Sequence, residues 1–375
     1  MKAKAQRVVV LMSGGVDSSV AAALLKEQGF DVVGVYILGW TGTPEYPCTW
    51  QEEEADAKAV AKQLDINFLT INLTKEYEHE VIERFFAGYQ QGVTPNPDVL
   101  CNREIKFKAL WRAVRQLEPD YLATGHYAKK VSAELIGIPK DKAKDQTYFL
   151  WGIERSILPS LLFPLGDKTK AEVRELAKSL KLPTAAKKDS QGICFIGPLK
   201  VREFLKSRIK ASPGVAVLAD GRVIGEHQGV RLYTIGQRLG SGSVKWTGDV
   251  PPLFVVAKDK VSNRLVVGPD QRTYSDELVA AGLNLLVPSD LPKRCQARVR
   301  YRQEAVEVTV SAEKGEQLRV KFKEPVRALT PGQSIVFYDK DKLLGGAIVE
   351  AVPANDLLVE QLYGEDDRPA ASGTL

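Results

Sequence analysis

The chain has 375 residues, 44% apolar and 26% charged, with a formal net charge of +5. That length exceeds a single compact core and implies two or three domains, while no stretch approaches the roughly 18 apolar residues of a membrane span. Four scattered cysteines make neither a disulfide framework nor a CxxC metal site, and the mild positive charge permits a nucleic-acid partner without demanding one. No apolar leader run follows Met1, so the expected location is the cytoplasm.

The apolar run at residues 8–12 reads as a short buried strand, and residues 20–25 as a helix ending near Gly29. Strands follow at 31–37, 68–73 and 121–124, separated by helices at 52–64, 74–89 and 105–117. Thr74 is the expected cap of the helix it begins. Strands alternating with helices at this spacing give an α/β fold, a parallel sheet covered on both faces. Its ligands sit beyond the carboxyl ends of the strands. That edge would carry residues 13–19, 37–40 and 124–126. A second helical section spans 148–208. Past Pro213-Gly214 the helical period stops, and short β segments between glycines begin. From 278 onward, strands recur with turns about every eight to twelve residues, as in a small β-barrel or sandwich. The expected division is 1–210, 211–275 and 276–362, with a polar, disordered tail at 363–375.

Residues 13–19, Ser-Gly-Gly-Val-Asp-Ser-Ser, join the first strand to the first helix. The glycines let the chain curl, the free amides of the first helical turn point outward, and the helix dipole favours an anion there. Ser13, Ser18 and Ser19 add hydroxyl donors, and Asp17 is suited to cap the helix or hold a metal ion. The loop is neither a Walker A sequence, which needs a Lys after the glycines, nor GxGxxG. The plain alternative is a strand–helix turn that binds nothing.

Residues 94–102 read Thr-Pro-Asn-Pro-Asp-Val-Leu-Cys-Asn. Prolines two apart favour a stiff, extended turn, delivering Asp98 and Cys101 just ahead of a helix that begins near Asn102. A thiol at a helix N-terminus gains thiolate character, and a carboxylate three residues away can move a proton. Otherwise Cys101 is a buried filler. Cys194 lies in a glycine-flanked segment behind Lys187 and Lys188, whose charge favours thiolate. The alternative is a connector with an inert thiol. Residues 144–151, Lys-Asp-Gln-Thr-Tyr-Phe-Leu-Trp, read as a helix start with a core-facing aromatic stripe. At 298–302, Arg-Val-Arg-Tyr-Arg, strand alternation puts three arginines on one face, and Arg-Val-Lys-Phe-Lys at 319–323 repeats the device. Such stripes suit phosphates, or else form the solvated face of a barrel. His126 lies either near a bound nucleotide or in a structural hydrogen bond beside Gly125. Cys48 and Cys295 read as non-catalytic.

The SGGxDS pattern resembles the PP-loop of ATP pyrophosphatases, which split ATP into AMP and pyrophosphate to activate a carbonyl oxygen. SGGVDSS, TPNPDVLCN, ATGHYA, KDQTYFL, KKDSQGICFIG, GEHQG, IGQR and VRYRQ occur in this order over about residues 7–350. Together they closely resemble the tRNA-specific 2-thiouridylases (MnmA/TrmU). The resemblance implies a Rossmann-like PP-loop domain of the adenine nucleotide alpha-hydrolase kind, a small β-rich central domain and a C-terminal, tRNA-binding β-barrel. It implies that ATP with Mg²⁺ adenylates O2 of the wobble uridine in the tRNA anticodon stem-loop, and that sulfur from a cysteine persulfide then displaces AMP.

Carried over residue by residue, the resemblance assigns ATP to Ser13, Gly14, Gly15, Val16, Asp17 and Ser18, with Leu11 and Met12 at the mouth. Ile37 and Gly125 would line the adenine and ribose side. Cys194 would carry the persulfide, and Cys101 would be the second nucleophile, able to close a disulfide with Cys194. Asp98 would be the general acid/base. Disulfide closure needs Cα atoms roughly 4.4–6.8 Å apart. Asn96, Pro97 and Asp98 would face the extruded base, and Lys144, Asp145, Gln146, Arg300 and Tyr301 would touch tRNA. No protein-held metal site is assigned. The implied partners are tRNA and a persulfide sulfur carrier or cysteine desulfurase relay, acting on a monomer with no membrane contact.

Two places depart from the family pattern. Residues 131–142 stand where a fuller, arginine-bearing hairpin is expected, and 50–54 read WQEEE where small residues are common. Three alternatives stay open at this level: an iron–sulfur cluster on the two cysteines and Asp98, a PP-loop synthetase for a small molecule, and a non-catalytic RNA-binding protein.

Overall fold

The structure is a computed structural model that describes residues 5–189, 192–197, 201–240, 244–246, 252–288 and 290–362. Its N-terminal part runs β1 (Arg7–Leu11), α1 (Val16–Glu27), β2 (Asp31–Leu38), α2 (Trp50–Gln63) and β3 (Asn67–Asn72). Two segmented helices follow: α3 (Thr74–Tyr77, Glu78–Glu83 and Arg84–Gln90) and α4 (Pro97–Leu100, Cys101–Ala109 and Leu110–Ala113). Then come β4 (Tyr121–Thr124), a hairpin of β5 (Lys129–Ser132) and β6 (Leu135–Gly137), the short β7 (Leu161–Leu162) and α5 (Lys170–Ser179).

β1 is apolar on both faces, which suits a strand covered from both sides. Val8 and Val10 join a core with Val20, Ala57 and Val173 from α1, α2 and α5. Val9 and Leu11 face Tyr77, Ile82, Phe85 and Ile105 from α3 and α4. The sheet order is β3-β2-β1-β4-β7, with every pairing parallel. The chain thus steps outward from β1 to β3 and returns to place β4 on the other side of β1. The crevice between β1 and β4 is where strand order reverses, the usual ligand position in such sheets.

Both segmented helices correct the sequence reading. Thr74 lies inside the first turn of α3; Asn72 Oδ1 caps it, accepting from the Thr74 amide at 3.0 Å and from its hydroxyl at 2.8 Å. α4 begins at Pro97, well ahead of the expected start. Asn96 is its cap, accepting from the Val99 amide at 3.3 Å, and Pro97 takes the first helical position, where a missing N–H costs nothing. Asp98 and Cys101 therefore ride on the helix rather than on a turn ahead of it.

The unusual 131–142 segment does contain hairpin β5–β6, and Gly137 of β6 pairs with Lys342 of the C-terminal sheet. After α6 (Val201–Lys206), a six-stranded sheet holds β8 (Gly214–Val217), β9 (Val223–His227), β10 (Arg238–Leu239), β11 (Val244–Trp246), β12 (Leu253–Asp259) and β13 (Arg264–Gly268). The last sheet comprises β14 (Tyr274–Leu285), β15 (Arg294–Arg298), β16 (Val306–Ala312), β17 (Leu318–Arg327), β18 (Ser334–Asp339) and β19 (Lys342–Ala351). Because β14 pairs with both β17 and β19, this sheet closes into a barrel rather than a sandwich. Ala297, Val320, Ile335, Phe337 and Ala347 fill it. The expected disordered tail at 363–375 lies outside the described residues. No helix among the described residues is long and apolar enough to cross a membrane.

Candidate active site

The 13–19 loop is built before any ligand arrives. Gly14 has φ +69°, and a Cβ there would stand 2.2 Å from the Glu53 carbonyl oxygen, so only glycine fits. The Ser13 amide donates to Ser18 Oγ at 3.1 Å, and the Ser19 hydroxyl donates to the Gly15 carbonyl at 2.8 Å. Gly125 presses β4 onto the start of α1: a Cβ there would lie 2.7 Å from the Ser18 amide nitrogen. Leu11, Val16 and Ile37 are buried in the surrounding core. The Met12 side chain is also fully buried, against Gly34, rather than at the mouth of the loop.

Asp17 neither caps the helix nor faces open solvent. It accepts from the Tyr127 hydroxyl at 2.9 Å and from Lys170 Nζ at 2.7 and 2.8 Å. Lys170 also pairs with Asp189 at 2.8 Å, and Asp189 takes Arg174 at 2.6 Å and Lys144 at 2.9 Å. Burial opposes ionisation of Asp189, yet hydrogen bonds from Lys144 and Lys170 hold its carboxyl well below the usual range. This network ties the 13–19 loop to the chain leading into Cys194. Sequence reasoning missed Lys170 and Tyr127, because their partners are distant in the chain.

The Cys194 segment is a tight loop. Gly192, Phe195 and Gly197 all have left-handed φ, and Ile193 bridges to Gly197. Three parts of the first domain hold it. Asp98 Oδ1 accepts from the Cys194 amide at 3.1 Å, and the Tyr77 hydroxyl donates to the Cys194 carbonyl. The Phe195 ring stands edge-on to Tyr77 at 5.4 Å and fills the space left by Gly39, where a Cβ would sit 2.9 Å from it. Cys48 donates to the Phe195 carbonyl at 3.3 Å, a structural contact.

Cys101 and Cys194, 93 positions apart (194 − 101), are free thiols close enough to shift one another's titration. Burial pushes Cys101 up, so it stays protonated beside Cys194. The Cys194 thiol falls to about 6: the Cys101 hydrogen bond is the main cause, acting against burial and aided by the Lys106 ammonium. The helix-start argument gave thiolate character to Cys101, but the structure gives it to Cys194. Cys101 is fully buried and lies past the first turn of α4, its amide bonded to the Pro97 carbonyl. Nor is Lys187 the cation beside Cys194, since it pairs with Asp56 at 2.5 Å. Burial raises the Asp98 carboxyl, with the Cys194 amide and Lys106 opposing, which suits a group that exchanges protons. His126 makes the structural bond, Nδ1 to Thr124 Oγ1 at 2.8 Å, and burial with Lys106 nearby holds its imidazole well below the usual value.

The remaining candidates are spread around this centre. Lys144 is paired with Asp189 as described, and Gln146 Oε1 accepts from the Tyr127 amide at 2.8 Å. Asp145 is buried and paired with Arg298 at 2.5 Å. The 298–302 stripe is not a strand face, because β15 ends at Arg298 and Arg302 turns at φ +66°. Arg300, Tyr301 and Arg302 instead line a cleft of about 780 Å³ with Gln237, Gln303 and Arg327. Tyr301 packs on Phe149 at 4.5 Å, and the Phe149 carbonyl accepts from Asn102, next to Cys101, at 3.0 Å. The 319–323 stripe does lie on a strand, β17, where Arg319 pairs with Glu313 and Glu277, and Lys323 with Glu307 at 2.7 Å. Among the described residues, no group of three or more His, Cys, Asp or Glu is placed to hold a metal ion.

Three family models match the chain: a tRNA methyl transferase HUP domain at residues 6–198, a tRNA methyl transferase PRC-barrel domain at 202–269 and an aminomethyltransferase β-barrel domain at 275–349. The tRNA-specific 2-thiouridylase MnmA of Streptococcus thermophilus is 48% identical over 358 residues, covering 92% of this chain and 95% of that protein. The protein of the same name from Listeria monocytogenes is 47% identical over 360 residues, covering 93% and 96%. Among solved structures, a 4-thiouridine synthetase–RNA complex with bound ATP is 20% identical, with a TM-score of 0.35, over 54% of this chain and 50% of that one. By its identity with these relatives over nearly its whole length, the chain belongs to the tRNA-specific 2-thiouridylase (MnmA) family.

Proposed function

We propose that this protein uses ATP to replace O2 of the tRNA wobble uridine with sulfur, releasing AMP and pyrophosphate. The observation that carries the reading is the Cys194 loop docked on α4, with Asp98 on the Cys194 amide and Cys101 one turn further along, in the same domain as an ATP-type anion loop. The loop amides would hold the phosphates while uridine O2 attacks the α-phosphorus and pyrophosphate leaves. Mg²⁺ arriving with ATP would neutralise phosphate charge, while Asp17 already accepts from Lys170 and Tyr127 and is not free to hold it. Leu11, Met12, Gly14, Gly15, Val16, Ile37 and Gly125 complete the nucleotide site in this reading.

A terminal sulfur carried on Cys194 would then attack C2, and AMP leaves with the former O2. Cys101, losing its proton to Asp98, attacks Cys194 Sγ. The S–S bond to the transferred sulfur breaks, 2-thiouridine departs, and a Cys101–Cys194 disulfide remains. A thiol reductant reopens it, and a persulfide carrier or cysteine desulfurase relay reloads Cys194. Asn96, Pro97 and Asp98 are assigned to the extruded base, and Lys144, Asp145, Gln146, Arg300 and Tyr301 to the anticodon stem-loop. In this reading residues 1–210 do the chemistry, 211–275 link, and 276–362 grip RNA, as a cytoplasmic monomer.

The test is mass analysis of tRNA nucleosides after incubation with ATP, Mg²⁺ and a sulfide source. The expected result is 2-thiouridine with matching AMP and pyrophosphate. ATP consumption independent of tRNA would favour a small-molecule synthetase, and tRNA binding without AMP a purely binding role; either overturns the reading.

A further inference from the structure

A sulfur anion half-buried among carboxyl and hydroxyl groups is favoured by a cation close by, because partial desolvation disfavours the charged form. The groups around Cys194 and its neighbour Lys106 come from four places. Asp98, Cys101 and Lys106 lie on α4, Tyr77 on α3 reaches the Cys194 carbonyl, His126 just after β4 lies near Lys106, and Cys48 just ahead of α2 bonds the Phe195 carbonyl. Tyr77 is held protonated by burial, and His126 neutral. Of these groups only Lys106 carries positive charge.

Its placement depends on the shape of α4. On an α-helix, residues five apart point about 140° apart, so Lys106 would face away from Cys101. The stretch Cys101–Ala109 is instead π-helical, and the Leu110 amide donates to the Ile105 carbonyl five residues back. A π turn closes on i+5 and brings such positions to nearly one face. Lys106 thereby joins the Cys101 and Asp98 side of the helix, where Asp98 holds the Cys194 amide, and its ammonium is close enough to favour the charged form of the Cys194 sulfur.

We propose that Lys106, brought round by the π-helical turn of α4, is the counter-ion of the Cys194 sulfur, holding negative charge there first as thiolate and then as persulfide. The proposal rests on the reading of Cys194 as the sulfur-carrying thiol. Lys106 neither gains nor loses a proton in this role. It keeps the nucleophile ionised and aimed at the base while the Cys101 thiol stays protonated until its turn.

The test follows alkylation of Cys194 by iodoacetamide across pH, resolved by peptide mass spectrometry, in full-length protein. In Lys106→Met the rise in rate should move up by at least one pH unit, making alkylation at pH 5 about tenfold slower. Lys106→Arg should restore most of the shift. An unchanged profile in a Met variant that still binds ATP would overturn the proposal, as would a shift that Arg fails to restore. In the wild-type protein, acetic anhydride should modify Lys106 faster once Cys194 has been alkylated. Equal rates before and after also count against it, whether or not the variants fold. Neither readout uses tRNA or a sulfur donor, so its outcome is separable from that of the 2-thiouridine assay.

Discussion

The nucleotide loop and the thiol pair belong to one domain but are built in opposite ways. The loop is contiguous: seven residues supply the turn, the helix start and the hydroxyls, and their hydrogen bonds run mostly among themselves. The thiol pair is assembled from α4 and a left-handed loop near residue 194, and its partners arrive from α3, β4 and the end of β2. A local site is specified by spacing, since every donor shares one short backbone. An assembled site is specified by packing, and its electrostatics can reverse what local spacing suggests. Cys101 and Cys194 show this, for the residue nearer a helix start is the one that keeps its proton.

That contrast can be broken from either side. The largest effect is expected from Cys194→Ser: 2-thiouridine formation, read by nucleoside mass analysis, should vanish while ATP affinity stays within about twofold, because the nucleotide loop makes no use of the thiol. Gly14→Val should do the reverse. A side chain there strikes the Glu53 carbonyl, so ATP binding by calorimetry should weaken by about two orders of magnitude or more. Its Cys194 alkylation profile should match wild type. Retained thiolation in the first variant, or retained ATP binding in the second, would contradict the assignment.

Asp98→Asn sharpens the comparison within the assembled site. The amide oxygen keeps the bond to the Cys194 backbone but cannot take a proton, so single-turnover sulfur transfer should slow by about 10²-fold with tRNA affinity unchanged. The smallest effects concern the two basic stripes. Arg300→Ala opens the cleft beside Tyr301 and should weaken tRNA binding by about tenfold at moderate salt. Lys323→Ala removes an exposed ion pair worth about 0–1 kcal/mol and should change tRNA affinity by less than about twofold. Equal losses in both would mean that the RNA footprint extends over β17.

By itself the sequence determined the α/β class, the strand–glycine loop–helix unit, the position of β4 and the switch to β structure after residue 213. These follow from hydrophobic period and turn chemistry, which act over a few residues. The motifs pointed to Cys101, Cys194 and Asp98 through family resemblance, and the fold brings Asp98 to the Cys194 amide. Only the tertiary structure decided that Asn96 and Pro97 start α4 instead of barring a helix, because the capping bond and the first-turn position reconcile proline with helical backbone. It alone separated the two arginine stripes, since the chain turns after Arg298 in one and continues as a strand in the other. It also found Lys106, Lys170 and Tyr77, whose roles lie in contacts with residues far along the chain. Charge at Cys194 depends on burial and on which groups reach it, and neither is written in its neighbours Gly192 to Gly197.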